Sequence, residues 1–422
     1  MKLSRRDFLR SLGVVGLSQS LFPAWMPRLA FANPHEQTSA QNGARDVLVV
    51  IFQRGGMDSL NAVVPYGEGA NYYDRRPTIA ISAPDASDTS ALDLDGFFGL
   101  HPAMRPLKDL FDAQQVTIIA GAGSPDPTRS HFDAMETMER GTPGDKMTGT
   151  GWINRHLATT AWQNESPFRA VGMGALVPSS LRGDGKALAL RSIADFHLGG
   201  RTDQLYAIQR TLSGLYSVQA PNDPLSLGAA GVFGVMELLQ NLSALDYFPE
   251  NGAQYPDSEF GMGLRQVAQL IKADLGLEVA CVDIGGWDTH EQQGASDGQM
   301  AYLLGEFAQG LAAFHQDMGG RMANVSVVTM SEFGRTAAEN ASFGTDHGRA
   351  SAMFLMGGGV QGGIFHRWGG LADEQLDEGD LAVTVDYRDV LAEILVKRLG
   401  NTALEQIFPN YTPSFANLFN AR

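Results

Sequence analysis

The residues best suited to chemistry lie in short polar runs, each placed just after an apolar one. Ser331-Glu332-Phe333-Gly334-Arg335-Thr336 follows the apolar run 325–330 and leads to Gly344-Thr345-Asp346-His347-Gly348. Asp283 and Gly285-Gly286-Trp287-Asp288-Thr289-His290 follow 279–282, and Gln53-Arg54-Gly55-Gly56-Met57-Asp58-Ser59-Leu60-Asn61 follows 46–52. Thr128-Arg129-Ser130-His131-Phe132 comes after a fourth run, 116–120. Carboxylates and imidazoles gathered without sulfur are the donors of a divalent metal, be it zinc, manganese, magnesium or calcium. Asp58, Asp283, Asp288, His290, Glu332, Asp346 and His347 are the groups so gathered. Such a metal would polarise a phosphoryl or sulfuryl oxygen and lower the pKa of a hydroxyl or water, with Arg335 neutralising the transferring group. Ser130 opens a helical pattern, where the field favours an attacking alkoxide; it is also well placed as a plain N-cap, as is Thr128. A structural reading stands beside this one: Glu332 with Arg335 as an ion pair, and 345–348 as an Asx turn.

The apolar runs must position these residues. Short continuous stretches rich in β-branched side chains suit strands covered on both faces, as in a parallel sheet. Strands are expected at 46–52, 116–120, 279–283, 325–330 and 353–356, with strand-like character from 168 to 177. Helices are expected at 231–245, 263–275, 300–318 and 387–399; in the third, Leu303, Leu304, Phe307, Leu311 and Phe314 form one apolar face. Alternating strands and helices give an α/β protein with a mostly parallel sheet, whose carboxyl edge is where ligands bind. The stretch 151–257 reads as a cap or insertion. Within it, Arg155 is either a cation facing the substrate or a partner in a salt bridge between lobes.

Ser4-Arg5-Arg6-Asp7-Phe8-Leu9-Arg10, a weakly apolar run to Phe22 and Ala30-Phe31-Ala32 have the parts of a twin-arginine export signal with cleavage after Ala32. The apolar run is too short for a stable membrane span, which needs about 20 residues. Residues 33–45 are polar and read as a flexible spacer, leaving 46–422 as the folded unit. The expected location is the periplasm or outside the cell, with the export machinery as one partner. Net charge is −16, and the first 32 residues hold five basic residues and one acidic. The remainder is therefore near −20, which argues against nucleic acid or anionic lipid as a partner. A small-molecule or glycan ester is not excluded, since a bound cation reverses the field locally. The one cysteine, Cys281, reads as a small core residue.

Taken together, Gly55 to Asn61, Arg129 to Phe132, Gly285 to His290, Ser331 to Arg335 and Gly344 to Gly348 resemble the twin-arginine-exported family called domain of unknown function 1501. That family is similar in layout to the alkaline phosphatase and sulfatase superfamily. The resemblance runs from about Asp46 to the C-terminus. It implies a three-layer α/β/α sandwich of the alkaline phosphatase-like kind with metal at the carboxyl edge. It implies Ser130 as nucleophile, Asp288, His290 and His347 as ligands of one metal, and Glu332 as the carboxylate of a second. The chain also departs from the pattern. Gln53-Arg54 stands where an acidic ligand ends the first strand, Glu332-Phe333 stands where an Asp-His pair is usual, and Asp288 and His290 are closer together than in phosphatases. One metal site is expected, with Asp58, Asp288, His290, Glu332 and His347 as the candidate ligands chosen from the groups gathered at the strand ends once the resemblance is added, and two-metal chemistry is not carried over.

The function expected is metal-dependent hydrolysis of phosphate or sulfate esters. The alternative is a binding or assembly protein on a degenerate phosphatase-like fold. A metal-free serine esterase using Ser130 with His131 or His347 ranks last, for want of a Gly-x-Ser-x-Gly elbow.

Overall fold

The computed structural model describes residues 46–160, 164–194 and 247–422, together with 208, 210–212, 214, 232–240 and 242. The expected signal and spacer lie outside the described residues, as does much of the stretch between 195 and 246.

Val47, Leu48, Val49, Val50, Ile51 and Phe52 supply the middle strand, β1 (Val47–Gln53), of a nine-stranded sheet. Its side chains alternate between two cores. Val49 and Ile51 join a cluster on one face, and Leu48, Val50 and Phe52 join a second on the other. A strand buried on both faces cannot show polar alternation, which is why it reads as an unbroken apolar run.

In chain order the other strands are β2 (Val116–Gly123), β3 (Ala170–Met173), β4 (Leu188–Ala189), β5 (Val279–Ile284), β6 (Val325–Met330), β7 (Ser351–Gly357), β8 (Gly363–His366) and β9 (Val385–Asp386). Across the sheet they run β8-β2-β7-β6-β1-β5-β3-β4, with β9 beside β2. Every pairing is parallel except those of β7, which runs antiparallel to both β2 and β6. The stretch from 151 is not simply laid over the sheet. Residues 170–173 and 188–189 extend it at one edge.

Two helical layers cover the faces. On the Val49 side pack α1 (Arg105–Asp112), α4 (Glu259–Lys272) and α5 (Gln299–Met318). On the Leu48 side pack α2 (His131–Arg140), α3 (Trp152–Thr159) and α6 (Tyr387–Lys397). The fold is thus mixed α/β, three layers deep. A small sheet of 63–64, 99–100 and 92–93 lies to one side. Among the described residues no helix is long and apolar enough to cross a membrane.

Cys281 is buried in β5, and burial pushes its thiol pKa up. Arg155 makes neither of the contacts expected of it. Its guanidinium donates to the carbonyls of Ile407, Thr150 and Arg140, tying α3 to the chain's last helix.

The parallel strands deliver the polar runs to one place. Gln53 pairs with Ile284, and Phe52 pairs with Met330, so the loops after β1, β5 and β6 leave side by side. The turn before β7 reaches the same edge because that strand is antiparallel.

Candidate metal centre

At this edge three imidazoles surround one carboxylate oxygen. Nε2 of His290 and Nε2 of His347 lie 3.0 and 3.1 Å from Asp288 Oδ1, and 3.0 Å from each other. His131 Nε2 lies 3.2 Å from the same oxygen, and it is buried without a hydrogen bond. His131, Asp288 and His347 each offer a ligand atom within 4.8 Å of one another.

The far side of each ring is engaged. His131 Nδ1 bonds Glu332 Oε1 at 2.7 Å, His290 Nδ1 bonds Asp346 Oδ1 at 2.9 Å, and His347 Nδ1 bonds the Arg129 carbonyl at 2.7 Å. A neutral imidazole that donates from Nδ1 presents a lone pair at Nε2, the usual second bond of a metal-binding histidine. Donors about 2.0–2.2 Å from a common centre stand about 3–3.5 Å apart, and His131, Asp288 and His347 are close enough together to share one ion, with His290 beside them. The buried His131 Nε2, which faces Asp288 Oδ1 without a hydrogen bond, and the nitrogen-rich donor set make the same case.

Charge tunes the set. Burial pushes the Asp288 carboxyl up, but Arg335, with His347 and His131, outweighs it and holds the pKa down to about 2. The bond to Glu332 raises the His131 pKa, whereas burial lowers that of His347.

The scaffold is specific. Trp287 is fully buried and its Nε1 donates to the Ile284 carbonyl, anchoring the loop that bears Asp288 and His290. Gly55 donates its N–H to Glu332 Oε1 at 2.8 Å with φ +123°, and a Cβ there would lie 2.6 Å from the Asp288 nitrogen. Only glycine allows that approach. Phe333 takes no ligand's place; its ring packs 4.8 Å from both His131 and His347 and walls the cluster. His131, in the first turn of α2, brings a third imidazole to the cluster.

Several residues occupy roles other than those expected. Asp58 is outside the cluster: it is fully buried, pairs with Arg76 at 2.6 Å, caps the short helix 59–62 through the Leu60 nitrogen and accepts from Gln293 at 2.6 Å. Gln293 in turn accepts from Thr289 and Thr345, so Asp58 braces both ligand loops from beneath. Glu332 orients His131 rather than joining the donors. Arg335 is only 1 % exposed and donates to the carbonyls of Gly55, Gly56, Trp287 and Thr345 as well as to Asp288 at 2.6 Å. So spent, it holds loops together and fixes Asp288 instead of meeting an anion. Ser130 is the N-cap position of α2, exposed, with no capping bond from its hydroxyl. In the sequence His131 is part of the Arg129-Ser130-His131-Phe132 motif and a partner of Ser130 in the esterase reading, not a ligand; its signal as a ligand is its place directly after Ser130, at the same sheet edge.

The structure is thus a three-layer α/β sandwich with a histidine-rich, carboxylate-centred cluster at its strand ends, a candidate metal site. The chain belongs to the family described as Protein of unknown function (DUF1501), whose model matches residues 45–401. No curated protein matches the sequence. Among solved structures, "Ps i-CgsB in complex with k-i-k-neocarrahexaose" is similar at 10 % identity and a TM-score of 0.36, over 90 % of this chain and 75 % of that one. The C-terminal periplasmic domain of EcEptC from Escherichia coli, in complex with Zn, is similar at 11 % identity and a TM-score of 0.32, over 79 % and 77 %. Phosphonate monoester hydrolase of Agrobacterium radiobacter is similar at 9 % identity and a TM-score of 0.33, over 88 % and 79 %. These likenesses are distant, and the chemistry of the site rests on its own geometry.

Proposed function

We propose that the protein is a metal-dependent hydrolase of phosphate or sulfate esters, exported by the twin-arginine route to the periplasm or beyond. The observation that carries this reading is the convergence of the Nε2 atoms of His131, His290 and His347 on Asp288 Oδ1, each ring backed by an acceptor at Nδ1. The nitrogen-rich set suits zinc or another transition metal better than magnesium or calcium. When bound, such an ion polarises an ester oxygen and makes a water or hydroxyl acidic. Glu332, Asp346 and the Arg129 carbonyl fix the ring tautomers, and Arg335 keeps Asp288 ionised. The Ser130 hydroxyl, exposed and next in the chain to His131, is the candidate nucleophile. With Arg335 committed, neutralising the transferring group falls to the cation.

Turnover of 4-nitrophenyl phosphate, phosphonate and sulfate esters by zinc- or manganese-loaded protein tests this. Activity lost on chelation, restored by metal and at least 100-fold lower in His347→Ala is expected; activity indifferent to chelation and to both His347→Ala and Ser130→Ala would overturn it. The burial of Arg335 favours one second reading, a binding protein that holds a cation without turnover. Stoichiometric metal with no hydrolysis across the ester panel selects it.

A further inference from the structure

A cleft of about 520 Å³ opens beside the cluster, between α2, the end of β5 and the loop after β3. One stripe of α2 joins the two. His131 stands at the cluster, and Met135 and Glu139 follow at four-residue intervals along the same face into the cleft. Successive members of such a stripe are about 6 Å apart along the axis, so the cleft begins one helical turn from a donor nitrogen.

The lining has two characters. At the rim, Phe132 and Leu176 are 84 % and 76 % exposed, and Met135, Met173, Val177 and Pro178 continue the apolar surface inward. On the floor Arg54 is flanked by Glu139 at 2.9 Å and Asp283 at 2.6 Å. Its remaining nitrogen lies 3.2 Å from the Met135 sulfur. Two guanidinium groups, of Arg54 and Arg182, face three carboxylates, of Glu136, Glu139 and Asp283. Glu136 pairs with Arg140 at 2.5 Å, and Glu139 and Asp283 pair with Arg54, so the lining is close to neutral and Arg54 is already committed, which gives a sulfated or phosphorylated chain little to bind. Large apolar side chains left in water at the rim of a cleft of this volume mark a small-molecule site.

We propose that this cleft receives an uncharged apolar group, aryl or short acyl in size, carried by the ester whose phosphoryl or sulfuryl end is handled at the cluster. The inference rests on the hydrolase reading for that second clause. It selects an amphiphilic or aryl ester over a polyanionic glycan.

The test uses the neutral fluorophore N-phenyl-1-naphthylamine with the full folded chain. Saturable binding near one per chain is expected, weakened at least tenfold in Phe132→Ser and in Leu176→Ser. Both residues are exposed, so neither substitution threatens the core. Binding should be unchanged by chelator and by His347→Ala. Failure of the hydrolase reading would show as absent metal and absent turnover with probe binding intact. Failure of the cleft proposal would show as no saturable binding, or as equal binding by wild type and both rim variants. Displacement of the probe by a sulfated oligosaccharide, but not by phenol, would also overturn it. Where turnover is present, Phe132→Ser should lower kcat/KM for phenyl phosphate relative to methyl phosphate about tenfold, through KM; an unchanged ratio counts against the proposal.

Discussion

Each imidazole at the strand ends has one nitrogen committed and one aimed inward, and the committed side is where the site can be weakened without being removed. Glu332 touches His131 and the Gly55 N–H but donates nothing to the centre. Glu332→Gln should therefore leave the protein folded and one ion bound while lowering metal affinity about 10–100-fold, read by competition with a chelating dye. Asp58 should behave in the opposite way. Removing its charge strands Arg76 in a fully buried site, so Asp58→Asn should cost about 3–5 kcal/mol in denaturant unfolding yet keep one ion per chain at saturating metal. Asp288, His290 and His347 were legible because short motifs at strand ends carry them. His131 was less so, since its partner Glu332 lies 201 residues away. Asp58 was misleading for a similar reason: a carboxylate after a Gly-Gly turn looks solvent-facing, and nothing in the sequence says that Arg76 waits inside.

Strands were the most readable elements. The runs ending at Phe52, Asp283 and Met330 lie within one residue of the observed β1, β5 and β6, because residues buried on both faces leave a continuous apolar signature. Direction was not readable. The run at 353–356 became β7, the antiparallel strand, and an apolar run has the same composition whichever way it points. The strand character at 168–177 proved to be β3, but that it and the two residues of β4 extend the main sheet rather than build a cap came only with the structure. The helix expected at 231–245 falls partly outside the described residues, and those described, 232–240 and 242, are helical. Ile51 is fully buried in β1 against α5 and its neighbours. Ile51→Ala should cost about 2–5 kcal/mol in urea unfolding, and a loss below 1 kcal/mol would contradict the central placement of β1.

For the molecule as a whole, acid should be a greater hazard than its many carboxylates imply. His156 on α3 is buried and accepts from Asn401 at 2.9 Å, which requires a neutral ring. Burial, reinforced by Arg169, holds its pKa near 4, against 6.5 for a free imidazole. The unfolded chain thus binds the extra proton between pH 6.5 and 4, and stability rises with pH across that window. Acidification through it should remove up to about 3 kcal/mol, and His156→Gln should flatten the slope of Tm against pH there. An unchanged slope would place the acid sensitivity elsewhere. The central claim is the metal centre, and elemental mass spectrometry of purified wild type, His131→Ala and Asp58→Asn tests it most directly. About one transition-metal ion per chain in wild type and Asp58→Asn, with none held by His131→Ala, is the expected result. No metal in wild type after incubation with zinc and manganese, or an ion kept by His131→Ala and lost from Asp58→Asn, would contradict the account.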